Sequence, residues 1–284
     1  MLIIGELINC TRKKVGEAAV KRDEAFFVDL ARKQAIAGAN MLDVNGGLPE
    51  GEAEFLSWLV DLVQGAVDIP LCLDSADPEA MSKALARCKQ RPMVNSISDE
   101  PARWAMLPVL KEHRPKVIAL CLSESGPPTG VDDRVATACR LVDRLTREGF
   151  ALDDIYVDAC VMPVATGPGQ SLLTAVSQIV ARYPGVHISA GVSNISFGLP
   201  VRKLLNETFL LLLMAHGLDA AIVDPTDQQL MMDILAAEAL LGRDARCKNY
   251  LRAYREGRLG PVAEAGRPAN LAGEPAEKLA LSVR

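Results

Sequence analysis

Short apolar runs rich in β-branched residues alternate with longer stretches of 3.6-residue period along most of this chain. The short runs predict strands near 2–8, 40–44, 70–74, 92–96, 116–122, 154–158, 186–193 and 220–224. The longer stretches predict helices near 23–37, 51–66, 78–88, 102–114, 131–148, 170–183, 200–216 and 227–242. Helix-ending residues fall where they should. Gly38, Gly149, Pro184-Gly185 and Gly217 each supply a positive φ or a chain break. Pro200 fits the first turn of the seventh helix, where its missing N–H costs nothing.

Strict strand–helix alternation implies a parallel sheet, because parallel neighbours need a crossover helix between them. An open doubly wound sheet usually carries a glycine-rich phosphate turn after its first strand, and none follows here. Gly167-Pro-Gly169 follows the sixth strand and lacks a third glycine, so it reads as a loop before a helix. The fold class expected is therefore α/β, a closed (β/α)₈ TIM barrel, which typically takes ~250 residues. The barrel domain is placed at 1–255. The remainder, 256–284, is rich in Gly, Pro and Ala without apolar period and is expected to be a poorly ordered tail.

Composition narrows the partners. A net charge of −5 over 284 residues gives no electrostatic case for nucleic acid or an anionic membrane. The run Phe209–Ala215 is far shorter than the ~20 residues needed to span a bilayer. No signal peptide is visible ahead of Met1-Leu-Ile-Ile4. Seven cysteines without CxxC spacing suit reduced thiols in the cytoplasm better than disulfides.

The strand ends carry the candidate chemistry. In a parallel barrel they converge on one mouth, and here they bear acids, amides and small polar residues with almost no Lys, Arg or His. Asp74, Asn95 and Asp158 each follow apolar residues that anchor a different strand. Two carboxylates and an amide match the edge of an aminopyrimidinone ring, which offers an NH₂, ring N–H groups and a carbonyl. Each such charge-assisted bond is worth about 1.5–3 kcal/mol in a sheltered pocket. Asn194, in Gly191-Val-Ser-Asn-Ile-Ser196, follows the seventh strand among small residues that leave room for a ligand. Arg202 lies early in the next helix, within reach of the mouth. Glu6, Asn9, Asp43 and Asn45 complete the constellation, some of them expected to brace the barrel or position loops. His113, His187 and His216 lie near no Cys, Asp or Glu at ligand spacing, so no protein-held metal is expected. No GxSxG elbow or strand-end lysine offers a covalent nucleophile. Binding, orientation and proton supply to a reactive ligand remain.

Taken together, Gly5-Glu6-Leu7-Ile8-Asn9, Leu42-Asp43-Val44-Asn45, Cys72-Leu73-Asp74-Ser75, Val94-Asn95-Ser96, Val157-Asp158 and Gly191–Ser196 resemble the pterin-binding methyltransferases that act between methyltetrahydrofolate and corrinoid proteins. The folate domain of cobalamin-dependent methionine synthase is a cousin and dihydropteroate synthase a more distant relative. The resemblance covers roughly 1–255. It implies a dihydropteroate-synthase-like TIM barrel, a homodimer, with 5-methyltetrahydrofolate in its mouth and a corrinoid (cobalamin) brought by a partner protein. It implies that Asp74, Asn95 and Asp158 hold the pterin and that Asn194 contacts N5. Arg202, Glu6, Asn45 and Ser193 are then further folate-binding positions, and Asn194 and Asp158 the catalytic pair. Phe197-Gly-Leu-Pro200 departs from the amides of acetogenic members, pointing away from the iron–sulfur corrinoid partner of carbon fixation. Two alternatives stay open: a dihydropteroate synthase-type pterin transferase, and a non-catalytic folate-binding subunit.

Overall fold

A computed structural model describes residues 1–47 and 51–260. The expected tail therefore lies outside the described residues from 261 onward. Eight parallel strands close on themselves in sequence order: β1 (Leu2–Asn9), β2 (Met41–Asn45), β3 (Leu71–Asp74), β4 (Met93–Ser98), β5 (Lys116–Leu120), β6 (Ile155–Asp158), β7 (His187–Gly191) and β8 (Ala220–Val223). The expected (β/α)₈ barrel is what forms. Ten α-helices surround it among the described residues: α1 (Lys13–Lys21), α2 (Glu24–Ile36), α3 (Glu52–Ala66), α4 (Pro78–Leu85), α5 (Leu107–His113), α6 (Val131–Arg147), α7 (Gln170–Arg182), α8 (Arg202–His216), α9 (Gln228–Leu240) and α10 (Lys248–Arg255).

The two-residue period of each strand divides its side chains between two apolar layers. Ile4, Met41, Cys72, Met93, Ile118, Tyr156 and Ala220 point inward and plug the barrel. Their sequence neighbours, such as Leu42, Leu73, Val94, Val117 and Val157, point outward and join the helices in the main core. Truncating one of these outward residues, for instance Leu73→Ala, costs about 2–5 kcal/mol. Two residues beyond the plug, the inward positions turn polar: Glu6, Asp43, Asp74, Asn95 and Asp158. One floor of apolar side chains thus carries a polar rim on the same strands.

Several boundaries differ from the sequence reading. Helix α1 was not foreseen because it buries only Val15, Ala18 and Ala19. Helix α10 buries only Ala253, too little for an apolar stripe to show. The expected 102–114 helix is a 3₁₀ turn (Pro101–Met106) followed by α5, with Pro108 in the first turn of α5. Strand β7 stops at Gly191, and Val192–Ser196 form a 3₁₀ turn. Pro200 does not enter α8, which starts at Arg202 after Val201 adopts φ 51°. The Leu-rich stretch of α8 is a core element, since Phe209, Leu210, Leu213 and Met214 are all buried. Gly217 ends that helix at φ +126°, and a Cβ there would sit 2.8 Å from Val180 Cγ2. A side chain at this position meets both strain and a clash.

Candidate active site at the barrel mouth

A cavity of about 820 Å³ opens over the C-terminal ends of the strands. Asp74, Asn95 and Asp158 all line it, from three strands. Register brings them together: Asp74 pairs with Asn95 across β3 and β4. A one-residue bulge between Asn95 and Ile97 then re-aims β4 as it reaches the mouth, and a second lies between Gly5 and Ile8 in β1. Bulges concentrate beside active sites because they turn a side chain without breaking the sheet.

The rim is internally bonded. Asn95 Nδ2 donates to Asp43 Oδ1 at 3.1 Å, and Asn45 Nδ2 donates to Asp74 Oδ2 at 2.7 Å. Asp158 Oδ1 accepts from the Cys160 N–H at 2.8 Å. Glu6 accepts from the Ser193 hydroxyl at 3.1 Å and from Arg12 Nη2 at 2.6 Å. Asn9 Oδ1 is committed to Thr11 rather than to the cavity centre, receiving its N–H at 3.0 Å and its hydroxyl at 2.6 Å.

The carboxyls pay for their burial. Asp158 is pushed up to about 6 by desolvation, against the lowering effect of the Cys160 and Gly191 N–H groups. Burial also raises Asp74, opposed by its bond from Asn45. Asp43 is pushed far above the usual carboxylate range by burial and by the neighbouring Asp74. A desolvated carboxylate gains most from a ligand that brings N–H donors.

Of the sequence-identified site residues, Glu6, Asn9, Asp43, Asp74, Asn95, Asp158, Ser193, Asn194 and Arg202 line the cavity. Asn45 does not; it stands behind Asp74 as a brace. Ser193 and Asn194 arrive on the 3₁₀ turn after β7, not on the strand. Arg202 is held to that turn, donating from Nη2 to the Ser193 carbonyl at 2.7 Å and from Nε to the Ser196 hydroxyl at 3.0 Å. Arg12 and Asn206 were not foreseen as cavity residues. Asn206 shares a face of α8 with Arg202, four residues earlier, and that spacing was its available signal. Phe197 also lines the cavity, 68% exposed at its lip. A second hollow, about 870 Å³, lies on the barrel flank between α2, α9 and α10, away from the carboxylate rim. Among the described residues, no group of three or more His, Cys, Asp or Glu could hold a metal ion.

The chain as a whole has relatives among known proteins. The family described as pterin binding enzyme matches residues 5–224. A methylcorrinoid:tetrahydrofolate methyltransferase of Eubacterium limosum is 40% identical over 269 residues, covering 92% of this chain and 99% of that protein. The methionine synthase of Mycobacterium leprae is 30% identical over 245 residues, covering 78% of this chain but only 20% of its own length. Among solved structures, a dihydropteroate synthetase superposes with TM-score 0.65 at 15% identity over 85% of this chain and 94% of its own. The Burkholderia cenocepacia dihydropteroate synthase does so with TM-score 0.63 at 20% identity, over 90% and 93%. At such identities these structures establish the fold alone. With the family match spanning every strand end of the barrel, the chain belongs to the pterin binding enzymes.

Proposed function

We propose that this chain is a methyltransferase moving a methyl group between N5 of 5-methyltetrahydrofolate and the cobalt of a corrinoid protein. The observation that carries this reading is an acceptor-rich rim, half-buried Asp74 and Asn95 with buried Asp158, and the amide of Asn194 at its edge. In this reading the pterin lies across the mouth with its N–H edge on the two carboxylates and Asn95.

The partner's corrinoid supplies a cobalt that accepts or donates the methyl group. This chain manages N5. When the methyl departs, the C–N5 bond breaks and N5 keeps the electron pair, so a proton on N5 leaves a neutral secondary amine. Without it, N5 would carry negative charge and depart poorly. In the reverse direction N5 must lose that proton. An amide both donates and accepts, so Asn194 suits both protonation states of N5. A contact that strengthens as N5 changes charge stabilises the transition state more than the ground state. The proton comes from solvent or through a relay that includes groups such as Asp158, whose pKa burial lifts to about 6.

Free thiols at all seven cysteines support a cytoplasmic setting. Exposed Leu240, Leu251 and Tyr254 near the chain's described end support pairing with a second copy. Rapid mixing of the enzyme and methyltetrahydrofolate with a cobalt(I) corrinoid protein tests the activity. The expected result is conversion of the cobalt spectrum within one turnover. Folate binding without any spectral change would leave only a carrier role.

A further inference from the structure

Arg134 on α6 is 4% exposed, yet its side chain meets carbonyls and a hydroxyl rather than a carboxylate. Nε donates to the Ala159 carbonyl at 3.0 Å, and Nη2 to the Cys160 carbonyl at 3.4 Å. Nη1 reaches the Gly130 carbonyl at 3.2 Å and the Ser171 hydroxyl at 3.4 Å. One guanidinium therefore ties together the loop before α6, the segment following β6 and the first turn of α7. Burying a cation this way is costly, and a straight apolar side chain would pack the same space without the penalty. What only the planar fork supplies is a set of donors at fixed angles to several carbonyls.

Those carbonyls belong to the two residues after Asp158. Cys160 holds φ +64°, a left-handed backbone that a residue with a Cβ rarely adopts. In that conformation its N–H points back at Asp158 Oδ1, at 2.8 Å. We infer that Arg134 is a positioning residue for Asp158: it holds the Ala159 and Cys160 carbonyls so that the Cys160 N–H stays on Asp158 and its carboxylate faces the mouth. The inference rests on the pterin-binding role proposed above for Asp158.

The Cys160 N–H favours the charged form of Asp158, so releasing it moves that carboxyl's titration upward. The test is a pH series of methyltetrahydrofolate binding for wild type, Arg134→Met, Arg134→Lys, Asp158→Asn and the double variant Arg134→Met with Asp158→Asn. Circular dichroism first establishes which variants fold. Folded Arg134→Met is expected to bind about tenfold more weakly at pH 7. The acid limb of its binding curve should move to higher pH. Arg134→Lys should fall between, because an ammonium cannot span the same carbonyls. The double variant should bind no worse than Asp158→Asn alone. If Arg134→Met does not fold, the limb of Arg134→Lys decides. An unmoved limb in a folded Arg134 variant, or additive losses in the double variant, overturns the inference. Wild type that fails to bind the folate, or Asp158→Asn that binds like wild type, refutes instead the functional reading beneath it.

Discussion

Asn45 donates its amide N–H to Asp74 across 2.7 Å, from the end of one strand to the end of the next. Asp74 lines the cavity and Asn45 does not. One of Asp74's oxygens is thereby committed to the scaffold, which turns the carboxylate and lowers its otherwise raised pKa. Asn45→Ala should weaken folate binding about tenfold, the value of one hydrogen bond to a charged group. Isothermal titration of folate into the variant checks this. Unchanged affinity would mean that Asp74 holds its orientation unaided.

Asn194 has a different signature. Asn194→Ala should slow methyl transfer roughly 10²–10⁴-fold, the scale of proton-transfer assistance, while folate affinity changes less. Single-turnover rates measured at saturating folate separate the two effects. An affinity loss with an unchanged rate would remove Asn194 from N5.

Asp158 sets stability against function. Its folded pKa, about 6, lies above the ordinary carboxylate value. The folded state therefore binds the proton more tightly than the unfolded chain, and stability falls as pH rises from about 4 to about 6. Above that window the ionised, buried carboxylate costs on the order of 3 kcal/mol. Asp158→Asn should raise the ligand-free melting temperature at pH 7 and flatten its pH dependence, while weakening folate binding. A variant that melts lower than wild type at pH 7 would contradict this account.

A second titrating group sits at the opposite end of the barrel. His187 Nδ1 bonds Asp219 at 2.6 Å and Nε2 bonds Asp153 at 3.1 Å, and these contacts raise its pKa. The sign is that of a base gaining acidic partners. Its contribution to stability is full below the unfolded pKa, about 6.5, and is lost as pH rises through the folded value. Melting curves from pH 5 to 9 should show this loss, and His187→Gln should remove it without changing folate affinity.

Phe197 is 68% exposed and lines the cavity. Its truncation to Ala should change the unfolding free energy by no more than a surface substitution does, about ±0.5 kcal/mol. Folate affinity should fall by the value of one aromatic contact, about 0.5–1.5 kcal/mol. Equal affinity in Phe197→Ala would show that the ring does not touch the folate.

The barrel and most of its rim were legible in the chain because both follow from local rules. Apolar runs alternating with 3.6-period stretches force parallel strands with crossover helices. Parallel strands of a closed barrel all end at one mouth, so Asp74, Asn95 and Asp158, each read as a strand end, had to meet. What the chain could not disclose depends on side-chain direction and on contacts between distant segments. Two bulges shift register at the rim, the 3₁₀ turn carries Asn194, Asn45 leans on Asp74, and Arg134 grips a turn 25 residues away. Periodicity sets which face of a strand a residue occupies, but only the packed barrel decides which neighbour claims its hydrogen bond.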